Sequence, residues 1–119
     1  MKIGITCSKE WKSSNDKQYE LVDAVLNYYQ EKFEDFEIVV NSTSKLDTTV
    51  IQTCFERGIN CSIIGNKHDS WIHANLDLID NCDRMGFIYN GSSSDVLYTK
   101  QTAEYLGRDT YLFTSDLNF

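Results

Sequence analysis

The run Asn90-Gly91-Ser92-Ser93-Ser94-Asp95 gathers groups that could hold a small polar ligand where a strand passes into a helix. Gly91 removes side-chain bulk, Ser92, Ser93 and Ser94 offer hydroxyl donors, and a helix behind them would present unpaired N–H groups with a partial positive charge. That combination suits an anion, a phosphate above all. Asp95 works against it, since a carboxylate at the helix start competes for the same donors; it could instead hold a ribose hydroxyl. Capping of the helix by Ser94 or Asp95 would explain the same residues with no ligand. A second polar run, Cys7-Ser8-Lys9-Glu10-Trp11, follows the first apolar segment. Lys9 could neutralise a phosphate and Trp11 could stack on a base, although a solvated lysine and a packed tryptophan would account for both. Trp71 and His73 could cover the site from a third loop. His68, Asp69 and His73 are too sparse a set to indicate a metal, and no cofactor is expected.

The elements that must position these loops follow from hydrophobic periodicity. Lys2 to Cys7 reads as a first strand. Val22, Val25, Leu26, Tyr29 and Phe33 give one apolar face to a helix over Asp16 to Phe33. Phe36 to Val40 is a second strand. Val50, Ile51, Cys54 and Phe55 form the stripe of a second helix that Gly58 ends. Ile59 to Ile64 is a third strand, and after the polar residues 65–70 a helix carries Ile72, Leu76 and Ile79. Met85 to Tyr89 is a fourth strand, Val96 to Leu106 a fourth helix closed by Gly107, and Thr110 to Phe113 a fifth strand.

Such alternation predicts an α/β fold: a three-layer Rossmann-like sandwich with a mainly parallel five-stranded sheet and about four helices, in a single domain over residues 1–119. Ligands of such sheets bind outside the carboxyl ends of the strands, where strand order reverses. With the order 3-2-1-4-5, the Ser8 and Asn90 loops face one crevice.

Composition narrows the partner. A net charge of −7 repels a polyphosphate backbone, so direct nucleic-acid binding is not expected. No apolar run approaches the ~20 residues that span a bilayer, and the start is too short for a signal peptide, so a cytoplasmic location is expected (the host cytoplasm if phage-encoded) and no membrane contact. Cys7, Cys54, Cys61 and Cys82 show no CxxC pair and read as reduced, buried small hydrophobes. The Asn-x-Ser/Thr matches at Asn41, Asn60 and Asn90 are then fortuitous. Tyr19, Tyr28, Tyr29, Tyr98 and Tyr105 fall mostly on helices, where packing or an oligomer interface explains them.

In order along the chain, these residues resemble the SLOG superfamily of Rossmann-like nucleotide-binding domains, and within it the YspA-like proteins of bacteria and phages. Those open with Gly-Ser-Arg-x-Trp after the first strand, similar to Cys7-Ser8-Lys9-Glu10-Trp11 with Cys for Gly and Lys for Arg. Of their Gly-Gly-Ala-x-Gly-Ala-Asp turn only Asp47 has a counterpart, in Ser42-Thr43-Ser44-Lys45-Leu46-Asp47. Of their Arg-Asn pair on the third helix, Asn75 stands without the Arg, with Ala74 in its place. Asp83, Gly91, Ser93 and Ala103 match, while the late Gly-Thr is Asp95-Val96. The resemblance implies a site of Ser8, Lys9, Trp11, Asp47, Asn90, Gly91, Ser92, Ser93, Ser94 and Asp95, and a homodimer. It also implies a nucleotide-derived ligand (a nucleotide, NAD or an ADP-ribose-like signal) that is bound or sequestered.

Two other functions are carried as alternatives. A nucleotide N-glycosidase or phosphoribohydrolase would use Asp95 or Glu104; the related nucleoside deoxyribosyltransferases carry a catalytic Glu where this chain has Thr99, which favours binding over catalysis. A phage-encoded inhibitor of a protein partner would keep the fold, lose the ligand, and present an acidic surface to a basic groove.

Overall fold

A computed structural model describes residues 1–8, 11, 14–41, 45–64 and 71–114. Among them the chain alternates as β1 (Lys2–Cys7), α1 (Asn15–Lys32), β2 (Glu37–Val40), α2 (Lys45–Arg57), β3 (Cys61–Ile63), α3 (Trp71–Asp80), β4 (Arg84–Tyr89), α4 (Ser94–Tyr105) and β5 (Asp109–Thr114). The five strands are all parallel and lie in the order β3-β2-β1-β4-β5. The expected three-layer Rossmann-like sandwich is therefore the observed one.

Period-2 alternation divides the core between the two faces of the sheet. Ile3, Ile5 and Cys7 of β1, Ile38 and Val40 of β2, and Ile88 of β4 pack with Val22, Val25, Leu26 and Tyr29 of α1 and with Leu46, Val50 and Cys54 of α2. Val39, Met85 and Phe87 point the other way and meet Leu78 and Ile79 of α3 and Val96 and Ala103 of α4. β1, β2 and β4 are buried on both faces, and Ile38-Val39-Val40 of β2 reads accordingly as an unbroken apolar run.

Local signals set the helix limits. The Ser14 side chain caps α1 by accepting from Lys17 N–H, and Asp16 and Lys32 complement the dipole at its two ends. α2 and α4 stop at Gly58 and Gly107, both at positive φ, with the following N–H groups of Ile59 and Arg108 returning to the carbonyls of Cys54 and Ala103. One side chain departs from expectation. Phe55, placed on the apolar stripe of α2, is 86 % exposed. The buried face runs through Leu46, Val50 and Cys54, and Thr49 and Thr53 complete it, the Thr53 hydroxyl being satisfied by the Thr49 carbonyl at 2.8 Å. Phe55 lies about 100° beyond Cys54 and falls outside.

Cys7, Cys54 and Cys82 are buried as expected, and Cys61 on the edge strand β3 is half-buried. The hydrogen bond between the Cys54 and Cys61 thiols, together with burial, pushes Cys54 up, and the same bond lowers Cys61 against the opposing effect of burial. No helix among the described residues is long and apolar enough to cross a membrane.

Candidate functional site at the carboxyl ends of β1 and β4

β1 lies between β2 and β4, and the chain leaves the sheet in opposite directions on its two sides, so the order reverses between β1 and β4. The two strand ends are joined through Ser8. Its N–H donates to the Ile88 carbonyl at 3.0 Å, extending the ladder by one bond, and its hydroxyl oxygen accepts from the Asn90 N–H at 3.1 Å. Ser8 is fully buried, so this hydroxyl fixes the floor of the crevice. Trp11 folds back over the same loop: its indole N–H donates to the Ser8 carbonyl, and its ring packs half-buried against the α1–α2 core. Lys9 lies outside the described residues.

Across the crevice, the loop is built around the Asn90 side chain. Its Oδ1 accepts from the N–H groups of Ser92 (2.9 Å) and Ser93 (3.0 Å) and from the Ser92 hydroxyl (3.2 Å). The turn needs Gly91 at φ +93, a backbone state that L side chains rarely adopt. Ser93, and neither Ser94 nor Asp95, stands at the N-cap of α4, and its side chain makes no capping bond. Asn90 therefore supplies the acceptor that sequence reading looked for further along. The amides of Ser94 and Asp95, the first two helical residues, have no partner within the helix, and both residues are exposed.

Below the crevice the carboxyl ends of β1 and β2 hold buried polar groups on both faces of the sheet. On the α1–α2 face, the Cys7 thiol donates to the carboxylate of Asp47 at 3.4 Å, in the first turn of α2. On the other face, the Thr6 hydroxyl donates to Asn75 Oδ1 at 2.9 Å, and Asn41 Nδ2 donates to the Ala74 carbonyl (3.0 Å) and to Asn75 Oδ1 (3.3 Å). Thr6, Asn41, Asp47 and Asn75 are each at most 3 % exposed. Sequence reading passed over Thr6 and Asn41, and took Asn75 only as an isolated match. The available signal was a polar residue on an apolar face: Asn75 precedes Leu78 and Ile79 by three and four positions, on the stripe that α3 buries.

The remaining candidates are dispersed. Thr99 is buried, its hydroxyl donating to the Asp95 carbonyl at 2.9 Å. Glu104 is paired with Lys100 at 2.9 Å and sits nine residues along α4 from Asp95, about 14 Å at 1.5 Å per residue. Of the two candidate carboxylates of the hydrolytic alternative, Asp95 stands at the crevice and Glu104 at the far end of α4. His73 is exposed on the first turn of α3; His68 and Asp69 lie outside the described residues, and of the Trp71 side chain nothing is described. Among the described basic residues, Lys2, Arg84 and Arg108 precede or begin strands and Lys32 and Arg57 end helices, at the opposite end of the sheet, whereas Lys17 in the first turn of α1 and Lys45 at the start of α2 stand at the end where the strands' carboxyl termini lie. The helix N-termini add partial positive charge at the same end. Comparison of the chain with family models, curated proteins and solved structures gave no match.

Proposed function

We propose that the protein binds a nucleotide-derived small molecule in the crevice at the carboxyl ends of β1 and β4 and acts as a binding or sequestering protein, a divergent relative of the SLOG superfamily. The observation that carries this reading is the start of α4. The N-cap side chain leaves the amides of Ser94 and Asp95 without an intrahelical acceptor, at the point of strand-order reversal where such sheets take their ligands. Exposed N–H donors at a helix start, beside the hydroxyls of Ser92 and Ser94, suit a phosphate. Asp47, Asn41 and Asn75 supply polar groups for the uncharged remainder of the ligand under β1 and β2.

Thermal-shift measurements against nucleoside monophosphates, NAD, ADP-ribose and inorganic phosphate at millimolar concentration test the proposal. A ligand at about 100 times its Kd adds ~2.7 kcal/mol, which raises the Tm by several degrees in a chain of this size. In ¹⁵N-labelled protein the same ligand is expected to move the amide resonances of Ser92 to Asp95. A panel that leaves both the Tm and those resonances unchanged rules the reading out.

A further inference from the structure

The amide of Asn75 is held in one orientation and left half unused. Asn41 Nδ2 spends its two protons on the Ala74 carbonyl and on Asn75 Oδ1, and the Thr6 hydroxyl donates to the same oxygen. Turning the Asn75 amide over would set N–H against N–H, so oxygen and nitrogen are assigned by the network. Oδ1 therefore faces Thr6 and Asn41, and Nδ2 lies across the amide from them. Asn75 is fully buried, and among the described residues Nδ2 has no acceptor. A buried donor without a partner is costly and uncommon, and two polar side chains, Thr6 and Asn41, hold this one in place. A donor that is fixed beforehand at the ligand-binding end of a parallel sheet has the properties of a recognition group.

We infer that Asn75 reads the base of the ligand by donating from Nδ2 to a keto oxygen. The inference rests on the nucleotide reading above and assigns the part of the molecule that the α4 start does not contact. With its oxygen committed to Thr6 and Asn41, the amide can offer only N–H. It accommodates a carbonyl and rejects an exocyclic amino group at the same point, because two donors would then meet without an acceptor. The site accordingly prefers uridine to cytidine monophosphate, or inosine to adenosine monophosphate, pairs that differ by keto against amino at one ring position.

The test is a titration of ¹⁵N-labelled protein with each of these four mononucleotides. The keto member of a pair is expected to bind about 10-fold or more tightly, the value of one well-made hydrogen bond, and to move the side-chain NH₂ signals of Asn75 together with the backbone amides of Ser94 and Asp95. In Asn75→Asp the carboxylate keeps an acceptor for Thr6 and Asn41 and loses both N–H groups, so the preference should disappear and keto binding fall by about 10-fold or more. If that variant does not fold, the wild-type spectra decide alone. Movement of Ser94 and Asp95 with a stationary Asn75 NH₂ pair, or equal affinity for keto and amino members, overturns the assignment and leaves the binding site standing. Absence of any change with all four overturns the assignment, and the nucleotide reading falls with it only if NAD, ADP-ribose and inorganic phosphate are also without effect.

Discussion

Asn90 shows how a single side chain can shape a binding loop while using none of the charge that anion sites usually display. Its oxygen gathers three donors from Ser92 and Ser93, and the turn it stabilises leaves the amides of Ser94 and Asp95 with no partner inside the helix. Asn90→Ala removes all three accepted bonds from a solvent-accessible loop where water can replace them, so the expected loss is about 1 kcal/mol, as for other capping deletions. Gly91→Ala acts differently. A Cβ there meets nothing within 4 Å, and the penalty is wholly conformational, about 1–2 kcal/mol for an L residue at φ +93. Urea denaturation of both variants measures these costs, and a Gly91→Ala protein as stable as wild type would contradict the backbone geometry of the loop. At this scale the sequence was only partly informative. The loop could be read from Gly91 and the serines, because local turn chemistry depends on neighbours. The Thr6–Asn41–Asn75 cluster could not, because each residue finds its partner 33 to 69 positions away, and a lone Asn after Ile38-Val39-Val40 looks like any loop start.

At the scale of elements, the alternation of strand and helix was legible because each segment carries one dominant period, and because Gly58 and Gly107 stop helices where the pattern ends. What the pattern could not settle was which of two adjacent apolar residues faces inward. In α2, Cys54 and Phe55 both suit a core by composition, yet the register of Leu46, Val50 and Cys54 decides for the smaller one. Leu46→Ala should therefore cost about 2–5 kcal/mol, the range for deleting a buried leucine side chain. Phe55→Ala should stay within about 0.5 kcal/mol despite removing the larger side chain, as substitutions on an exposed face do. Equilibrium unfolding in urea compares the two directly. A Phe55→Ala loss comparable to that of Leu46→Ala would mean that α2 presents a different face to β2.

For the whole molecule, acidity and buried weak acids act in the same direction as pH rises. The chain carries −7 at neutrality, and each further ionisation increases self-repulsion. Apart from the Cys54–Cys61 pair, in which one thiol is raised and the other lowered, two buried groups resist ionising in the folded state. Burial pushes the Cys82 thiol up to about 12 from an ordinary value near 9. Burial, with the neighbouring Tyr28, pushes the Tyr29 phenol well above its ordinary value near 10, and Arg84 only partly offsets this. Both shifts are upward, so the folded state keeps protons that the unfolded chain releases, and stability falls as pH rises. The stabilisation is complete below about pH 9; Cys82 begins to lose its share above the ordinary thiol value and Tyr29 above the ordinary phenol value, each with a slope approaching 1.4 kcal/mol per pH unit. Urea midpoints between pH 8 and about 11 should decline accordingly. Tyr29→Phe, which keeps the ring against Phe33, Phe36 and Phe113, should flatten the decline above about pH 10, and Cys82→Ala should flatten its earlier part. A decline of equal steepness in wild type and in both variants would trace alkaline instability to net charge alone, with neither buried acid contributing.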